Sequence, residues 1–502
     1  MKVKQLSKIQ KLKNVLELHF LNAPARSSLY FTAANLIAKG ASFLFTPIFT
    51  RLLTSVEYGE YSLFSSFLSV GIVLVTLEIP GGIIMRAFQR RRGLEHISVL
   101  TASMLSLLLT LPVSALLFLF TKDSGLNFPL ANFFLFLSLA SLSFINLYIS
   151  KCKFLYNWHA PFVIALLQSI ITPILSISLI RIKYFKGYDH VSLKIGTGAA
   201  VSVIIATVLI IVSIKKSLNE AVRANIGLKD IGNYAKELLP FLLKLALPLL
   251  PYYFSVMLIS QADKLTISNY LGKAALGRYS VAYSAGIALT AVTGGIMSAL
   301  CPWIMRKVRA GDIALVRRAL GTISCLSLPV IIIFLCVSPE IYAILAPKEY
   351  ESALPVLFII ASVPLPLSVS QCLCTVSVAK EKTLGVLISG LIPAAFAWGM
   401  NLLLIGQKSI LIPAIITALS YIILMLCEMI NTRKIIGKAP INVNKTFQTI
   451  SFIAFLSAFV YVFKEYIIIR VSVIIISLAY LLYMLKRTKW LLGERRSDKT
   501  SA

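Results

Sequence analysis

Apolar stretches of about 20 residues recur along the whole chain, and this pattern constrains the fold more than any other feature of the sequence. A helix of roughly that length crosses the hydrocarbon core of a bilayer and satisfies its own backbone polar groups there. Of the 502 residues, 58% are hydrophobic and 14% are charged, whereas soluble domains carry about a quarter charged residues. The sequence predicts an all-α integral membrane protein with about 14 transmembrane helices. The predicted spans are 28–50, 61–85, 98–120, 131–150, 160–182, 197–214, 239–262, 278–300, 318–338, 353–379, 384–405, 410–430, 449–464 and 467–485.

The formal net charge is +29, which in a soluble protein would indicate a nucleic-acid ligand. In a membrane protein, Lys and Arg accumulate in the loops that stay in the cytoplasm. With both termini in the cytoplasm, roughly 34 of the 49 Lys and Arg residues lie on that side and about 13 lie outside. One predicted outer loop, 181–196, opposes the rule because it carries four of these residues. The distribution favours cytoplasmic termini and no nucleic-acid partner.

The seven cysteines are scattered through apolar stretches, with no C-x-x-C spacing and no paired histidines. This arrangement is typical of buried free thiols. We therefore predict no metal site, no cofactor and no disulfide framework.

One short motif occurs twice: residues 59–62 read GEYS and residues 277–280 read GRYS. Six predicted helices separate the two copies, so both enter the membrane in the same direction. This predicts two six-helix lobes related by an axis along the membrane normal. We expect the glycines to adopt positive φ in tight turns, and Tyr61 and Tyr279 to lie at the level of the lipid headgroups.

The chain divides on this basis into six segments. They are a basic amphipathic N-terminal segment that lies on the membrane surface (1–27), an N-lobe of helices 1 to 6 (28–214), a cytoplasmic linker (215–238), a C-lobe of helices 7 to 12 (239–430), helices 13 and 14 (431–485), and a cytoplasmic tail (486–502).

Three stretches resemble a known family: "LLTSVEYGEYSLFSS", "LEIPGGIIMRAFQR" and "QADKLTISNYLGKAALGRYSVAYSAG". They are similar to elements of the Wzx-type polysaccharide flippases in the multidrug/oligosaccharidyl-lipid/polysaccharide (MOP) exporter superfamily. The resemblance implies that two alternating lobes translocate undecaprenyl-diphosphate-linked oligosaccharide across the bacterial inner membrane, without enzymatic chemistry. The product would feed O-antigen (lipopolysaccharide), capsule or exopolysaccharide synthesis. A polysaccharide polymerase and a chain-length regulator would be partners.

Cations within or beside the spans are the candidate substrate-binding residues: Lys39, Arg86, Lys244 and Lys264. A flippase for a diphosphate headgroup needs a wet cavity that contains cations, because the headgroup is dianionic and the sugars are polar. Lys39 lies near the middle of helix 1, where it departs from the commonest family pattern. Arg86 and Lys244 lie near the inner mouth, where they could capture the diphosphate or extend to lipid phosphates.

Two acidic residues, Glu78 and Asp263, are candidates for ion coupling or structural pairing. Glu78 is predicted about two turns from the inner end of helix 2, at a depth close enough to Lys39 for an ion pair. Asp263 is predicted to end helix 7, where it forms either a gate or an end-of-helix pair with Lys264.

Prolines within two predicted spans, Pro248 and Pro251 in helix 7 and Pro364 and Pro366 in helix 10, predict bends that act as hinges or as static kinks. Two other functions remain open. A membrane polymerase or ligase would act on the same lipid-linked sugars, although the sequence has no sizeable outer loop for catalysis. A drug/cation antiporter of the same fold would favour carboxylates in an apolar cavity.

Overall fold

The computed structural model describes residues 33, 37, 40, 41, 43–81, 83–90, 92–123, 130–182, 189–223, 227–293, 303–305, 307, 308, 310–380, 384–404, 406, 408–437 and 443–487. These residues form helices and no β-strand. Ten of the described helices are long and apolar enough to cross a membrane, or eleven if one bent pair counts as a span. The prediction of an all-α, multi-pass membrane protein is confirmed.

The helices are numbered here in chain order. They are α1 (Phe43–Leu52), α2 (Ser55–Thr76), α3 (Ile83–Arg90), α4 (Glu95–Asp123), α5 (Ala131–Phe154), α6 (His159–Arg181), α7 (His190–Arg223), α8 (Leu228–Ala246), α9 (Leu250–Leu271), α10 (Lys273–Ile287), α11 (Ile313–Leu345), α12 (Leu354–Ile360), α13 (Pro364–Ala379), α14 (Leu384–Leu404), α15 (Leu411–Ile436), α16 (Val443–Val462) and α17 (Ile467–Arg487). A π-helical turn at Leu167–Ile171 interrupts α6, and short 3₁₀ turns occupy Ile79–Gly81 and Lys348–Ala353.

The first copy of the repeated motif lies inside α2, because that helix begins six residues earlier than predicted. Thr54 caps the helix: its hydroxyl accepts from the Glu57 N–H at 3.2 Å, and its own N–H donates to the Glu57 carboxylate at 2.7 Å. The prediction that the repeated glycines take positive φ in turns is therefore wrong. In the second half of the chain, Gly272 makes the turn with φ 85°.

Two ends of the helix bundle are distinguished below. The junction end is where α1 meets α2 and where α9 meets α10. The basic end is where α3 meets α4 and where α7 meets α8. At the junction end one apolar core runs from the N-lobe into the C-lobe, joining Leu63 and Leu139 to Tyr279 and Leu357.

A second core fills the basic end of the N-lobe, and α8 belongs to it. Leu242 and Ala246 of α8 pack there with Phe88 and Leu147. The next helix, α9, packs most extensively on α14 of the C-lobe, and it also contacts α2 of the N-lobe and α10 and α15 of the C-lobe. A 55° bend separates the two helices, with Pro248 between them and Pro251 in the first turn of α9. The bend predicted from these prolines is confirmed, and it lies where the chain passes from one lobe to the other.

Candidate functional site: the seam between the lobes

The two copies of the motif meet each other, since α2 and α10 cross at Gly59 and Gly277. A Cβ atom on Gly59 would lie 1.9 Å from the Lys273 carbonyl oxygen, and one on Gly277 would lie 2.0 Å from the Ser55 carbonyl oxygen. The relationship is reciprocal, because each glycine faces the residue one turn before its counterpart. Glycine is required here for close approach of two helix backbones, as in small-residue crossings of membrane helices.

Polar members of the motif join the lobes beside these glycines. The hydroxyl oxygens of Ser62 and Ser280 lie 2.6 Å apart and are buried. The Lys273 ammonium lies 2.5 Å from the Glu60 carboxylate, and both side chains are largely buried. Three of the four residues in GEYS therefore contact the opposite lobe.

Helices α1 and α11 extend the contact at the junction end. The Thr50 hydroxyl donates to the Leu345 carbonyl oxygen at 2.7 Å, and the Arg51 guanidinium donates to the Ile344 carbonyl oxygen at 3.1 Å. We use "the seam" for this set of interlobe contacts. Its residues are Thr50, Arg51, Gly59, Glu60, Ser62, Lys273, Gly277, Ser280, Ile344 and Leu345.

A buried cation lies behind the seam in the N-lobe. The Lys194 ammonium is 3.4 Å from the centroid of the Tyr61 ring and 3.8 Å from that of Phe49, and the residue is 8% exposed. Aromatic faces attract a cation electrostatically, most strongly where water is excluded. Lys194 was not among the predicted site residues, because the predicted span began at 197 and placed it in a loop.

A buried carboxyl group lies behind the seam in the C-lobe. Asp263 is fully buried and accepts hydrogen bonds from the Tyr279 hydroxyl at 2.5 Å, the Lys264 N–H at 2.7 Å and the Thr417 hydroxyl at 3.2 Å. The prediction that Asp263 ends its helix is wrong, since α9 continues for two further turns to Leu271. Asp263 therefore joins α9, α10 and α15 inside the lobe.

The predicted end-of-helix pair between Asp263 and Lys264 does not form. Adjacent helix residues point in different directions, and the Lys264 ammonium donates to the Gln261 side-chain carbonyl at 3.3 Å. It also lies 4.6 Å from the centroid of the Tyr283 ring. Substrate binding by Lys264 stays a prediction.

Tyr61 and Tyr279 occupy equivalent places in the two copies, and each contacts the buried charge of its own lobe. Tyr61 covers Lys194 with its ring, whereas Tyr279 binds Asp263 through its hydroxyl. Tyr279 has no exposed surface, and the level of the two rings relative to the headgroups stays a prediction. Because α2 and α10 are central helices, one face of each meets the seam and another meets its own lobe.

The predicted inner-mouth cations, Arg86 on α3 and Lys244 on α8, are both exposed. Their helices are neighbours, since the Arg90 guanidinium lies 5.2 Å from the centroid of the Phe241 ring. Arg86 lies about one helical turn further from the basic end than Arg90, and Lys244 lies about one turn further from it than Phe241. They therefore share a depth, while their role in binding stays a prediction.

Glu78 lies in a break between α2 and α3, not within a continuous helix as predicted. It and Leu77 have left-handed backbones, with φ of 51° and 49°, which is rare outside glycine. Lys39 lies outside the described residues, so neither its role in binding nor its pairing with Glu78 is tested.

The described part of the chain contains no group of three His, Cys, Asp or Glu residues that could hold a metal ion. Five cysteines in it form no disulfide: Cys152, Cys336, Cys372, Cys374 and Cys427.

Comparison with known proteins found one family model and several solved structures. The model, described as polysaccharide biosynthesis protein, matches residues 25–308. The lipid II flippase MurJ in an inward closed conformation matches with a TM-score of 0.63 at 14% identity, over 92% of this chain and 100% of that one. A MATE structure in complex with MaL6 matches with a TM-score of 0.53 at 13% identity, over 82% and 96%. A search of curated proteins found no match. At such identities the structural likeness shows a shared fold.

Proposed function

The chain belongs to the polysaccharide biosynthesis protein family, whose model covers more than half of it, and we propose that it is a flippase. Its substrate is an undecaprenyl-diphosphate-linked oligosaccharide, which it moves from the inner to the outer leaflet of the bacterial inner membrane. The product supplies O-antigen, capsule or exopolysaccharide synthesis, where a polymerase and a chain-length regulator act on it. The name of the lipid II flippase, which has this fold, supports a lipid-linked substrate.

The observation that carries the proposal is the seam. A carrier with two lobes needs an interface that is tight in one state and can separate as a unit in another. Here Gly59 and Gly277 bring two backbones together, and among the described residues one hydroxyl pair, one ion pair and two hydrogen bonds from α1 to α11 accompany them. We assign the junction end to the outside, because the charge distribution places the basic end in the cytoplasm.

The bend between α8 and α9 provides a joint for the motion. Because α8 packs in the N-lobe core while α9 packs most extensively on α14 of the C-lobe, we propose that relative movement of the lobes changes the angle at Pro248 and separates α9 from α2. Opening the seam releases the sugar outside, and closing it exposes the inner mouth again.

The inner mouth captures the headgroup. Arg86 presents a planar guanidinium that matches phosphate oxygens in pairs, and Lys244 presents a compact charge at the same depth. Lys39 binds the diphosphate further along the path. The oligosaccharide crosses in the water-filled space between the lobes, without any covalent change.

The main alternative is a drug/cation antiporter of the same fold, and the buried Asp263 carboxylate is the observation that favours it. Two assays separate the functions. In a flippase-null strain, the chain should restore surface polysaccharide without raising drug resistance. In proteoliposomes, it should make an undecaprenyl-diphosphate-linked oligosaccharide accessible to a glycosidase on the opposite leaflet. Drug resistance without surface polysaccharide or lipid translocation would contradict the proposal.

A further inference from the structure

A second carboxyl group of the C-lobe, Glu428 on α15, is buried without any partner. The residue has no exposed surface, and neither carboxylate oxygen accepts a hydrogen bond. In a buried site without hydrogen-bond donors, an ionised carboxylate costs far more free energy than a neutral carboxylic acid. We infer that Glu428 is a proton-binding site, which holds a proton in this conformation and releases it when the basic end of the C-lobe opens.

The described groups around Glu428 include no cation that could balance the negative charge of an ionised carboxylate. Tyr252 of α9 and Cys427 of α15 are close enough to interact electrostatically with the carboxylate. Cys374 of α13 is hydrogen-bonded to the Tyr252 hydroxyl. Among the described residues, no Lys, Arg or His forms an ion pair with Glu428. The surrounding titratable groups are thus weak acids, neutral at physiological pH.

Asn431 approaches the carboxylate from the next turn of α15, but its geometry does not satisfy either carboxylate oxygen. Its amide donates instead to the Ser377 hydroxyl at 3.2 Å. Gly385 of α14 makes room for the Asn431 side chain, since a Cβ there would lie 1.8 Å from the Asn431 carbonyl oxygen. The Asn431 amide is therefore held by packing in a place where it leaves Glu428 without a satisfied hydrogen bond.

Asp263 provides the contrast that favours a proton at Glu428. Three donors surround the Asp263 carboxylate and stabilise its charge. Glu428 has no donor, and the neighbouring thiols are poor ligands for a hard cation such as Na⁺. One buried carboxyl of the C-lobe is built for the ionised form and the other for the neutral form.

Two adjacent tyrosines of α9 lie near Glu428 and near a partly exposed carboxylate of the N-lobe. The Tyr252 and Tyr253 rings are in edge contact, with centroids 5.5 Å apart. Tyr253 interacts electrostatically with both Cys374 and Glu78, and Glu78 is partly exposed in the break after α2. Tyr252 therefore lies near Glu428, and Tyr253 lies near Glu78.

The transfer step is simple. When water enters from the basic end, the O–H bond of the Glu428 acid breaks and the proton passes to a water molecule, leaving the electron pair on the carboxylate. The reverse step restores the acid with a proton taken up from the other side of the membrane, after the basic end has closed. Each cycle thus carries one proton through Glu428, and the site is a coupling site only if the proposed transport function holds.

Infrared spectroscopy of the purified full chain in lipid tests the proton site without any transport. The wild-type protein should show the carbonyl stretch of a protonated carboxyl at neutral pH. The Glu428→Gln variant, whose side chain has nearly the same shape and volume, should lose that band. Asp263→Asn should retain it, because three hydrogen-bond donors stabilise the charged form of the Asp263 carboxylate. A band that survives in Glu428→Gln, or is absent from the wild type, would overturn the inference.

Proteoliposomes loaded with an undecaprenyl-diphosphate-linked oligosaccharide test the coupling. An imposed pH gradient should change the wild-type translocation rate several-fold and leave the rate of Glu428→Gln unchanged. If the gradient drives Glu428→Gln as it drives the wild type, Glu428 does not couple transport. If the wild type moves no lipid-linked sugar at all, the proposed function fails, while the infrared result still decides the proton site.

Discussion

The hydroxyl oxygens of Ser62 and Ser280 lie 2.6 Å apart in the buried seam, and the two serines are the same member of the two repeats. Contact between equivalent residues is the mark of an isologous interface, in which one surface meets its own copy across a two-fold axis. The reciprocal contacts of Gly59 and Gly277 follow the same rule. The two halves of this chain therefore meet at the junction end as two subunits of a symmetric dimer would.

Alanine at either seam glycine should separate the helices. A Cβ at Gly59 or Gly277 would overlap a backbone carbonyl, which cannot move as a side chain can, and overpacking of this kind typically costs about 1–3 kcal/mol. Thermal unfolding in detergent should show lowered stability for both variants. Gly198→Ala in α7 is the matched control, since nothing lies within 4 Å of its Cβ position. Equal stability of all three variants would contradict the close crossing.

Breaking the ion pair between Glu60 and Lys273 should loosen the seam. Both side chains are largely buried, so Glu60→Gln leaves the ammonium without its charged partner, at a cost of about 1.5–3 kcal/mol. Thermal stability of Glu60→Gln, Lys273→Met and the double variant gives the coupling energy. The double variant should be less destabilised than the sum of the single variants. Strict additivity would show that the pair contributes nothing.

The equivalent tyrosines should respond differently to loss of their hydroxyls. Tyr279→Phe removes a hydrogen bond to the buried Asp263 carboxylate, which typically costs about 1.5–3 kcal/mol. Tyr61→Phe retains the ring that covers Lys194, so its effect should be smaller, whereas Tyr61→Ala should be severe. Chemical unfolding of the purified variants measures these differences. A larger loss in Tyr61→Phe than in Tyr279→Phe would be inconsistent with the two contacts.

Arg86 and Lys244 are exposed, so their substitution should alter transport and not abundance. Arg86→Ala and Lys244→Ala should each lower surface polysaccharide in the complemented strain, and Arg86→Lys should retain part of it because the charge survives. Arg433→Ala, at another exposed cation of the basic end, is the control. If Arg433→Ala reduces polysaccharide equally, the effect is one of general charge and not of headgroup capture.

Much of the fold follows from the sequence, because apolar length and loop charge depend on local composition. The motif at 59–62 also correctly pointed to two related lobes. The prediction that its glycines lie in turns is wrong. A residue without a side chain permits either a positive φ in a turn or the close packing of two helices, and the sequence alone does not distinguish these two roles. The capping pair of Thr54 and Glu57 was the available signal that the helix begins earlier.

The buried charges were harder to predict. Lys194 lay just outside the predicted span, and Glu428 lay near the end of another span at 410–430, where an acidic residue is ordinary. What distinguishes them is three-dimensional: rings from α1 and α2 cover Lys194, and Asn431 is held away from Glu428 by packing. No spacing within one helix encodes those contacts.

The central claim is that the seam opens during transport, and a reversible cross-link across it is the most direct test. Because the Ser62 and Ser280 hydroxyls are in contact, cysteines at both positions place their sulfur atoms within bonding reach. Mass spectrometry of peptides would show whether the Ser62→Cys/Ser280→Cys protein forms this disulfide, with each single variant as a control for the native thiols. We expect oxidation to stop translocation of the lipid-linked oligosaccharide in the double variant alone, and reduction to restore it. Translocation at the wild-type rate with the disulfide fully formed would show that the seam stays closed during transport and would contradict the account.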